Sequence, residues 1–590
     1  MRKLFSKKEK VYLFGDNEEN CKIYQSKGDR DGVIFEEKTT QKATVRGQKA
    51  VCKICESFNE PIAKIVEKTV RDQVRSLIII NTGGDEKNLS VCRAFVNEID
   101  KASVEEKDLY FKYLRIYVFG DPKYQAVYED VAGESSGCIS YVNKYQHVAL
   151  DFIERYPFTK FMDGRQIDYQ TSLIRDNIQL NAYMVGFNET NQHIFLASVA
   201  NNQFLCQGKN GPELKKVNYY IFDKNSEEHR EALNGSYYRY SNEMADYNPD
   251  DYLPLPSVPA HEEYFDLSET TVFAQIKAGV ERNPDDRNYV IVAFGSDLEN
   301  VDMAQKLVEK RKEWNADNLV IFVKSGKLRK EDTFIEEENC FFIGNEEDCV
   351  FNLSEMLGDR IYAMSQLRNA IYDLEYELTN SSVEVTEEYL QKNRENATRS
   401  WFTSKSQLER DSSTYCCLSL RSKLNLMGLD YCGKEENDLS AMSQAEYLAW
   451  YAKGDLPDMS TYSITADGKP IVYYTLEFLD SRRKTMAIHE HQRWNSFMLS
   501  KGMVPATKAQ ILEEKVERNG KMRFTNGKNY AVRRHGNLTT FEGLIEFRQM
   551  VAKRDGSSEA EKDVIKYDYQ LLDDAYWLVE KSGCKIVKLI

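Results

Sequence analysis

The chain repeats one short pattern at two places, and this repetition constrains its fold more than any other feature. Near the start, the apolar run Val11–Phe14 leads into Gly-Asp-Asn-Glu-Glu-Asn at residues 15–20. Further on, Tyr183–Val185 leads into Gly-Phe-Asn-Glu-Thr-Asn at residues 186–191. Each copy predicts a strand, a tight turn and the first turn of a helix.

The repetition continues beyond the turn, because four further apolar segments recur in the same order. Short apolar strands separated by helical stretches predict parallel βαβ topology. We therefore predict an α/β protein with two tandem doubly wound parallel sheets of the Rossmann type. The alternative is that any two parallel sheets resemble each other, since both bury Val- and Ile-rich strands. The matched segments are residues 33–37 and 220–224, 77–80 and 290–292, 114–118 and 319–323, and 138–142 and 340–343.

In the rest of the chain, the sequence pattern predicts a helical connector and a small, mainly α C-terminal domain. The second Rossmann unit contains an insertion rich in Tyr, Asn, Asp and Pro, which we interpret as a surface excursion. A probable hairpin lies at Asn519-Gly520. The predicted domains are residues 1–165, 170–378 with the insertion at 234–266, 379–477 for the connector and 478–590 for the terminal domain.

Composition favours a cytoplasmic protein without membrane insertion. The 590 residues include no run of roughly 20 apolar residues, and the first ten residues are charged. Twelve scattered cysteines, with one isolated Cys52-x-x-Cys55, indicate reduced thiols and no zinc site. The net charge of −15 argues against nucleic-acid binding. Residues 480–590 carry 21 Lys and Arg against 15 Asp and Glu, which suggests an anionic ligand or a solvated basic surface.

Each predicted turn is a candidate nucleotide crevice. A dinucleotide fingerprint has three small residues and an acidic residue about 20 positions later, which accepts the ribose hydroxyls. Here only the first glycine is kept in each copy, whereas Glu36 lies 21 residues after Gly15. We predict binding of NAD or another adenine nucleotide, without a metal; the alternative is that both acids are ordinary strand-end residues. The predicted cofactor-binding residues are Gly15, Asn17, Asn20, Glu36, Gly186, Asn188, Asn191 and Asp223.

These motifs resemble the TrkA-N type of Rossmann domain, the regulatory module of potassium-uptake systems. The resemblance covers roughly residues 10–378. It implies a module that binds NAD(H) or adenine nucleotides and regulates a partner without turning the cofactor over.

The terminal segment contains a second set of motifs. It includes Glu490-x-x-Arg493-Trp494 on a predicted helix, then His535-x-x-Leu538, a Lys-Asp pair at 562–563 and Gly-x-x-Ile-Val at 583–587. As a set these resemble the RyR domain of ryanodine receptors, which in bacteria is joined to TrkA-N-type domains. We predict a pocket in which Trp494 stacks on an anionic, nucleotide-like ligand; alternatively, Trp494 is core and Arg493 pairs with Glu490 or Asp563. The predicted ligand-binding residues are Glu490, His491, Arg493, Trp494, Arg534, His535 and Asn537.

Together these features predict a cytosolic nucleotide-sensing protein, homo-oligomeric and acting on a protein effector. Bacterial signalling or anti-phage defence is suggested by analogy alone. We identify no nucleophile–base pair and no metal cluster in the sequence, so we predict no catalytic residues and no turnover of NAD(H) or NADP(H). The alternatives are an NAD(P)-dependent oxidoreductase and a non-catalytic structural or partner-binding protein.

Overall fold

The structure of the protein, a computed structural model, describes most of the chain. The chain folds into two compact units. The first unit comprises Met1–Val148, Asn345–Tyr362 and Gln391–Asp411, and the second comprises the remaining residues. The described residues are 9–37, 52–134, 138–209, 211–356, 361–380, 386, 388–389, 392–393, 396–397, 400–401, 405–436, 441–452, 463–464, 470–471, 482–518, 520–559 and 562–590. Much of the predicted connector, including residues 453–462, lies outside them.

Six strands of the first unit form one all-parallel sheet. They are β1 (Lys10–Phe14), β2 (Asp31–Glu37), β3 (Cys52–Cys55), β4 (Ser76–Ile80), β5 (Leu114–Phe119) and β6 (Ile139–Val142). Their order across the sheet is β3-β2-β1-β4-β5-β6, so the direction of winding reverses between β1 and β4. Every residue of β4 is buried, as expected for a strand covered by helices on both faces.

The second unit contains an equivalent sheet after two short strands, β7 (Ile167–Asp168) and β8 (Leu173–Ile174). The strands that follow are β9 (Leu180–Val185), β10 (Phe204–Gly208), β11 (Gly211–Lys215), β12 (Asn218–Phe222), β13 (His261–Phe265), β14 (Arg287–Val292), β15 (Leu319–Lys324) and β16 (Cys340–Ile343). The six-stranded parallel sheet has the order β13-β12-β9-β14-β15-β16. A four-stranded sheet has the order β11-β10-β8-β7.

Helices connect the strands of both sheets. They are α1 (Glu18–Gln25), α2 (Asn59–Asp72), α3 (Asp85–Asp100), α4 (Val104–Tyr113), α5 (Gln125–Glu134), α6 (Lys144–Arg155), α7 (Glu189–Asn201), α8 (Ser226–Ala232), α9 (Arg239–Glu243), α10 (Glu269–Arg282), α11 (Asp297–Trp314), α12 (Glu346–Cys349), α13 (Leu353–Met356) and α14 (Ile361–Asn380). Short 3-10 helices span Pro122–Tyr124, Phe158–Phe161, Pro249–Asp251 and Lys330–Asp332.

The predicted fold class of two tandem Rossmann-like units is confirmed. The five matched pairs of apolar segments form β1 and β9, β2 and β12, β4 and β14, β5 and β15, and β6 and β16. The sequence did not predict the edge strands β3 and β13. The predicted surface excursion is also wrong in part, because it contains β13 and the buried side chains of Tyr237, Tyr238 and Tyr240. Aromatic side chains in this segment pack on the sheet, whereas composition alone suggested a solvated loop.

The rest of the second unit is mainly helical. Its helices are α15 (Gln407–Leu426), α16 (Gln444–Ala452), α17 (Arg482–Ser500), α18 (Lys508–Glu513), α19 (Phe541–Asp555), α20 (Lys566–Asp573) and α21 (Ala575–Lys581), the first of which begins in the first unit. Its strands are β17 (Leu429–Gly433), β18 (Ser463–Ile464), β19 (Pro470–Ile471), β20 (Val504–Pro505), β21 (Lys515–Arg518), β22 (Lys521–Phe524), β23 (Arg534–His535) and β24 (Cys584–Lys588). Strands β21 and β22 form the predicted hairpin.

Strand pairing crosses the boundary predicted between connector and terminal domain. Strand β17 follows α15, and it pairs antiparallel with β24 at the end of the chain. Residues 149–344 and 412–590 lie in the same compact unit. Within the described residues, no helix has both the length and the apolar character needed to span a membrane.

Candidate functional site

Both glycine turns lie where the winding of their sheet reverses, at the carboxyl ends of the strands. Gly15 follows β1 and has φ +109°, and Gly186 follows β9 and has φ +84°. A Cβ atom at Gly15 would lie 2.3 Å from the carbonyl oxygen of Asn81, at the end of β4. At Gly186 it would lie 2.3 Å from Cβ of Phe294, after β14. Both the backbone conformation and the space therefore require glycine.

The acid at the end of the second strand is bonded to the turn in both units. Glu36 Oε2 accepts a hydrogen bond of 2.7 Å from the backbone N–H of Asp16. Asp223 Oδ2 accepts one of 2.7 Å from the backbone N–H of Phe187. This contact fixes the carboxylate at the mouth of the crevice, where a ribose lies in a dinucleotide-binding unit. The structure thus brings the predicted Gly15–Glu36 and Gly186–Asp223 pairs together.

Asn17 and Asn188 are helix N-caps. The Asn17 side chain accepts a hydrogen bond of 2.8 Å from the backbone N–H of Asn20, and Asn188 accepts one of 3.3 Å from Asn191. A cap of this kind satisfies one of the free N–H groups at the start of a helix. The two residues lie at the turn as predicted, but their oxygens are already bonded to the helix.

Asn20 and Asn191 have a role that differs from the predicted contact with a cofactor. Both side chains are fully buried. The Asn20 amide donates to the carbonyl oxygens of Phe14, Gly15 and Asn81, which joins the ends of β1 and β4. In the second unit the Asn191 amide donates to the carbonyl oxygens of Val185, Gly186 and Ile291, which joins β9 and β14. A dinucleotide fingerprint has a small residue at this position. Here Asn occupies it, and its amide fills the space behind the turn and holds it.

Sequence reasoning missed a second pair of asparagines with a similar function. Asn88 Oδ1 accepts a hydrogen bond from the backbone N–H of Thr82, and its amide donates to the carbonyl oxygen of Phe119. Asn300 Oδ1 accepts from Phe294 and Gly295, and its amide donates to Lys324. The signal was present, because Asn88 and Asn300 lie at equivalent places after β4 and β14, at the ends of residues 84–88 and 296–300.

The first crevice is acidic. Asp16, Glu18 and Glu19 lie in four consecutive residues at the N-terminus of α1, and none is buried. Burial and the nearby Glu36 carboxylate raise the pKa of Asp16. Lys87 Nζ lies 3.5 Å from Glu36 Oε1 and 3.4 Å from a carboxylate oxygen of Glu37.

The second crevice is filled by an aromatic side chain. Phe187, at the position equivalent to Asp16, is fully buried. Its ring contacts those of Phe195, His229 and Tyr264. His229 Nδ1 also lies 3.4 Å from Asp223 Oδ1. Asp223 is 9% exposed, so little of its carboxylate is accessible.

In the terminal segment, Glu490 and Arg493 form a buried ion network. Glu490 accepts from Arg493 through both oxygens, at 2.8–3.0 Å, and from Lys423 Nζ at 2.7 Å. Although burial alone would raise it, these two cations lower the pKa of Glu490 to about 2. Arg493 is 1% exposed, and its guanidinium pairs with Glu490, which is the alternative that the sequence offered; its ligand role stays a prediction.

Two other predicted ligand residues, His491 and His535, lie against Trp494, which is partly exposed. The Trp494 ring lies between His491, stacked at 6.0 Å, and His535, edge-on at 5.1 Å. His491 is paired with Asp568 at 3.2 Å and bonded to the carbonyl of Thr539. The structure therefore gathers these aromatic groups, but it places both histidines in the interior.

The predicted turn residues also have internal partners. Arg534 is bonded to Glu514 at 2.6 Å, so this guanidinium is not free for a ligand as predicted. The backbone N–H of Asn537 donates to His535 Nδ1 at 3.1 Å. Burial lowers the pKa of His535 well below its ordinary value.

The described residues contain no group of three or more His, Cys, Asp or Glu side chains placed to hold a metal ion. All twelve cysteines lie in the described residues, and none of them is in a disulfide. Burial, followed by the charge of Asp16, raises the pKa of Cys52 to about 11. No protein-family model matches the sequence, and no curated protein is significantly similar to it.

Proposed function

We propose that the protein is a cytosolic nucleotide sensor whose first Rossmann unit binds a nucleotide or a nucleotide-derived signal. The observation that carries the proposal is the Glu36 carboxylate at the carboxyl end of β2, oriented by the N–H of Asp16 at 2.7 Å. Carboxylates in this place accept both ribose hydroxyls in Rossmann proteins. The side chain of Glu36 is 18% exposed, against 12% for that of Asp223, which also contacts His229.

Packing within the second unit supports a regulatory role. Helix α7, which begins at the Gly186 turn, packs against the buried helix α17 of the terminal segment. Arg239, in the insertion, donates to the carbonyl oxygens of Gly502 and Val532. Such contacts join the second Rossmann sheet to the terminal segment, as a regulatory module with an effector domain requires. The resemblance to TrkA-N-type modules also favours binding without turnover.

The filled second crevice favours a structural role for that unit. Phe187 occupies the space beside the turn, and Asp223 is bonded to the turn and paired with His229. We therefore assign ligand binding to the first unit and partner contact to the second.

Calorimetric titration of the full chain with a panel of nucleosides and nucleotides tests the proposal. For the ligand that binds best, we expect Glu36→Ala to weaken binding on the order of tenfold or more, because hydrogen bonds to a charged group are worth ~1.5–3 kcal/mol. Asp223→Ala and the surface variant Glu67→Ala are the controls, and both should leave the affinity unchanged. Equal affinity for wild type and Glu36→Ala would contradict the proposal.

A further inference from the structure

The groups around the first crevice indicate which class of ligand it accepts, if that crevice binds a nucleotide-derived ligand as proposed above. In a dinucleotide-binding Rossmann unit, the pyrophosphate lies at the N-terminus of the helix that follows the first strand. In the first unit this place is the N-terminus of α1, which begins at Glu18. The groups around that position decide whether it accepts phosphate.

Two of the backbone donors at this position are already used. The N–H of Asp16 donates to Glu36, and the N–H of Asn20 donates to the side chain of Asn17. The Asn17 amide in turn donates to the carbonyl oxygen of Asn81 at 2.7 Å. A phosphate that used either of these two donors would have to replace an internal contact.

The charges at the same position oppose a phosphate. Asp16, Glu18 and Glu19 lie at the start of α1, where they use the favourable end of the helix dipole themselves. Lys22 lies 3.3 Å from Glu18, but it is shared with Glu347 at the same distance. Within the part of the chain that the structure describes, the Glu19 carboxylate accepts a hydrogen bond from a neutral group, the amide of Asn81, at 2.7 Å. The carboxylates therefore outnumber the cations that contact them.

Two of the three acidic residues at the first turn have no acidic counterpart in the second unit. The turn there has Phe187 and Thr190 where the first unit has Asp16 and Glu19, and only Glu189 is acidic. The glycine, the Asn N-cap and the buried Asn are the same in both units, and each unit has an acid, Glu36 or Asp223, bonded to the turn. The fold of the turn thus does not require the extra carboxylates.

The Glu36 carboxylate can still accept hydrogen bonds from a ribose in the first crevice. An ionised carboxylate offers about four acceptor sites. The donors to Glu36 are the N–H groups of Asp16 and Glu37 and the Nζ atom of Lys87, the last at 3.5 Å. A vicinal diol can displace the long contact with Lys87 and bind the same oxygen.

We propose that the first crevice selects a ribonucleoside moiety with no phosphate at the N-terminus of α1, and that it discriminates against nucleoside diphosphates and dinucleotides. The ligand is recognised through its 2′,3′-diol by Glu36. The phosphate end of a nucleotide is rejected by Asp16, Glu18 and Glu19.

The test is calorimetry of the full chain at low ionic strength without divalent cations. The probes are the four common ribonucleosides, their mono- and diphosphates, NAD and the matching 2′-deoxynucleosides. We expect the best ribonucleoside to bind at least about tenfold more tightly than its diphosphate or NAD, and its 2′-deoxy form to bind more weakly. The triple variant Asp16→Asn, Glu18→Gln, Glu19→Gln should improve diphosphate binding at least about fivefold and leave nucleoside binding within about twofold.

The outcomes separate this inference from the proposed function. Tighter binding of the diphosphate or NAD to wild type, weakened by Glu36→Ala, would overturn the inference and keep the proposed function. Unchanged discrimination in the triple variant, with its circular dichroism and thermal melt as in wild type, would also overturn the inference. Binding of none of the probes would overturn both.

Discussion

Asp16 and Phe187 occupy equivalent positions in the two turns, and they give the two crevices different chemistry. Each donates its backbone N–H to the acid of the second strand, so the turn itself is the same. The side chains differ, because Asp16 is partly exposed among carboxylates whereas Phe187 is fully buried among rings. The residue that follows the glycine thus differs between the acidic first crevice and the filled second crevice.

This difference predicts unequal costs for the same truncation. Phe187→Ala should lower the free energy of unfolding by ~3–5 kcal/mol, because it leaves a cavity in a packed aromatic cluster. Asp16→Ala should change it by no more than about 0.5 kcal/mol, as is usual for a partly exposed side chain with few contacts. Urea denaturation followed by circular dichroism measures both. Similar values for the two variants would show that Phe187 does not fill the second crevice.

At the scale of elements, α17 is unusual because it is buried and polar at the same time. A helix buried on all sides is normally apolar. Here the ion network of Glu490 with Lys423 and Arg493 joins α17 to α15 inside the second unit. His489 lies on the same face, fully buried, and neither of its ring nitrogens has a hydrogen-bond partner among the described residues.

Glu490 should therefore be more important for stability than either cation alone. Glu490→Gln should cost ~3–5 kcal/mol, because it leaves two buried cations without a counter-charge. Lys423→Met should cost less, since Arg493 keeps its two-point contact with Glu490. Chemical denaturation of both variants measures the difference. If Glu490→Gln lowered the free energy of unfolding by no more than Lys423→Met does, the proposed role of Glu490 in the network would be contradicted.

The pH dependence of stability gives a second readout. The folded-state pKa of Glu490, about 2, lies below its ordinary value of 4.5. A carboxylate with a depressed pKa stabilises the fold above the ordinary value, and this contribution is lost as the pH falls from 4.5 towards 2. Glu490→Gln should flatten the stability profile in that window.

The strands were the part of the fold that the sequence predicted best, for a physical reason. Segments such as Leu77–Ile80 are buried on both faces, so they must be continuously apolar. The edge strand β3 was missed because its exposed side chains, Lys53 and Ile54, give no such signal. In the site, Gly15 and Glu36 were predicted because a single chain spacing defines them.

The terminal ion network was less predictable because its partners are distant in sequence. Lys423 and Glu490 are separated by 67 residues, and no local pattern indicates that they meet. Asp568 and His491 are a second such pair. Pairing of Arg493 with Glu490 was one of two alternatives offered by the sequence, but burial of the whole helix depends on tertiary packing.

At the scale of the whole molecule, the second Rossmann sheet and the terminal segment are parts of one unit. The insertion contributes Leu253 to a core cluster with Ile511 and Phe547 of the terminal segment. The hydroxyl of Thr539 donates to the carbonyl oxygen of Pro254. The terminal segment is thus anchored on the unit whose crevice is filled, while Glu36 in the first unit stays partly exposed.

Native mass spectrometry of the full chain with the best-binding nucleoside or nucleotide tests the central claim most directly. We predict one bound ligand per chain at saturation, because Phe187 fills the second crevice. The ligand should be lost in Glu36→Ala and retained in Asp223→Ala. Two ligands per chain, or one that persists in Glu36→Ala, would contradict the assignment of binding to the first Rossmann unit.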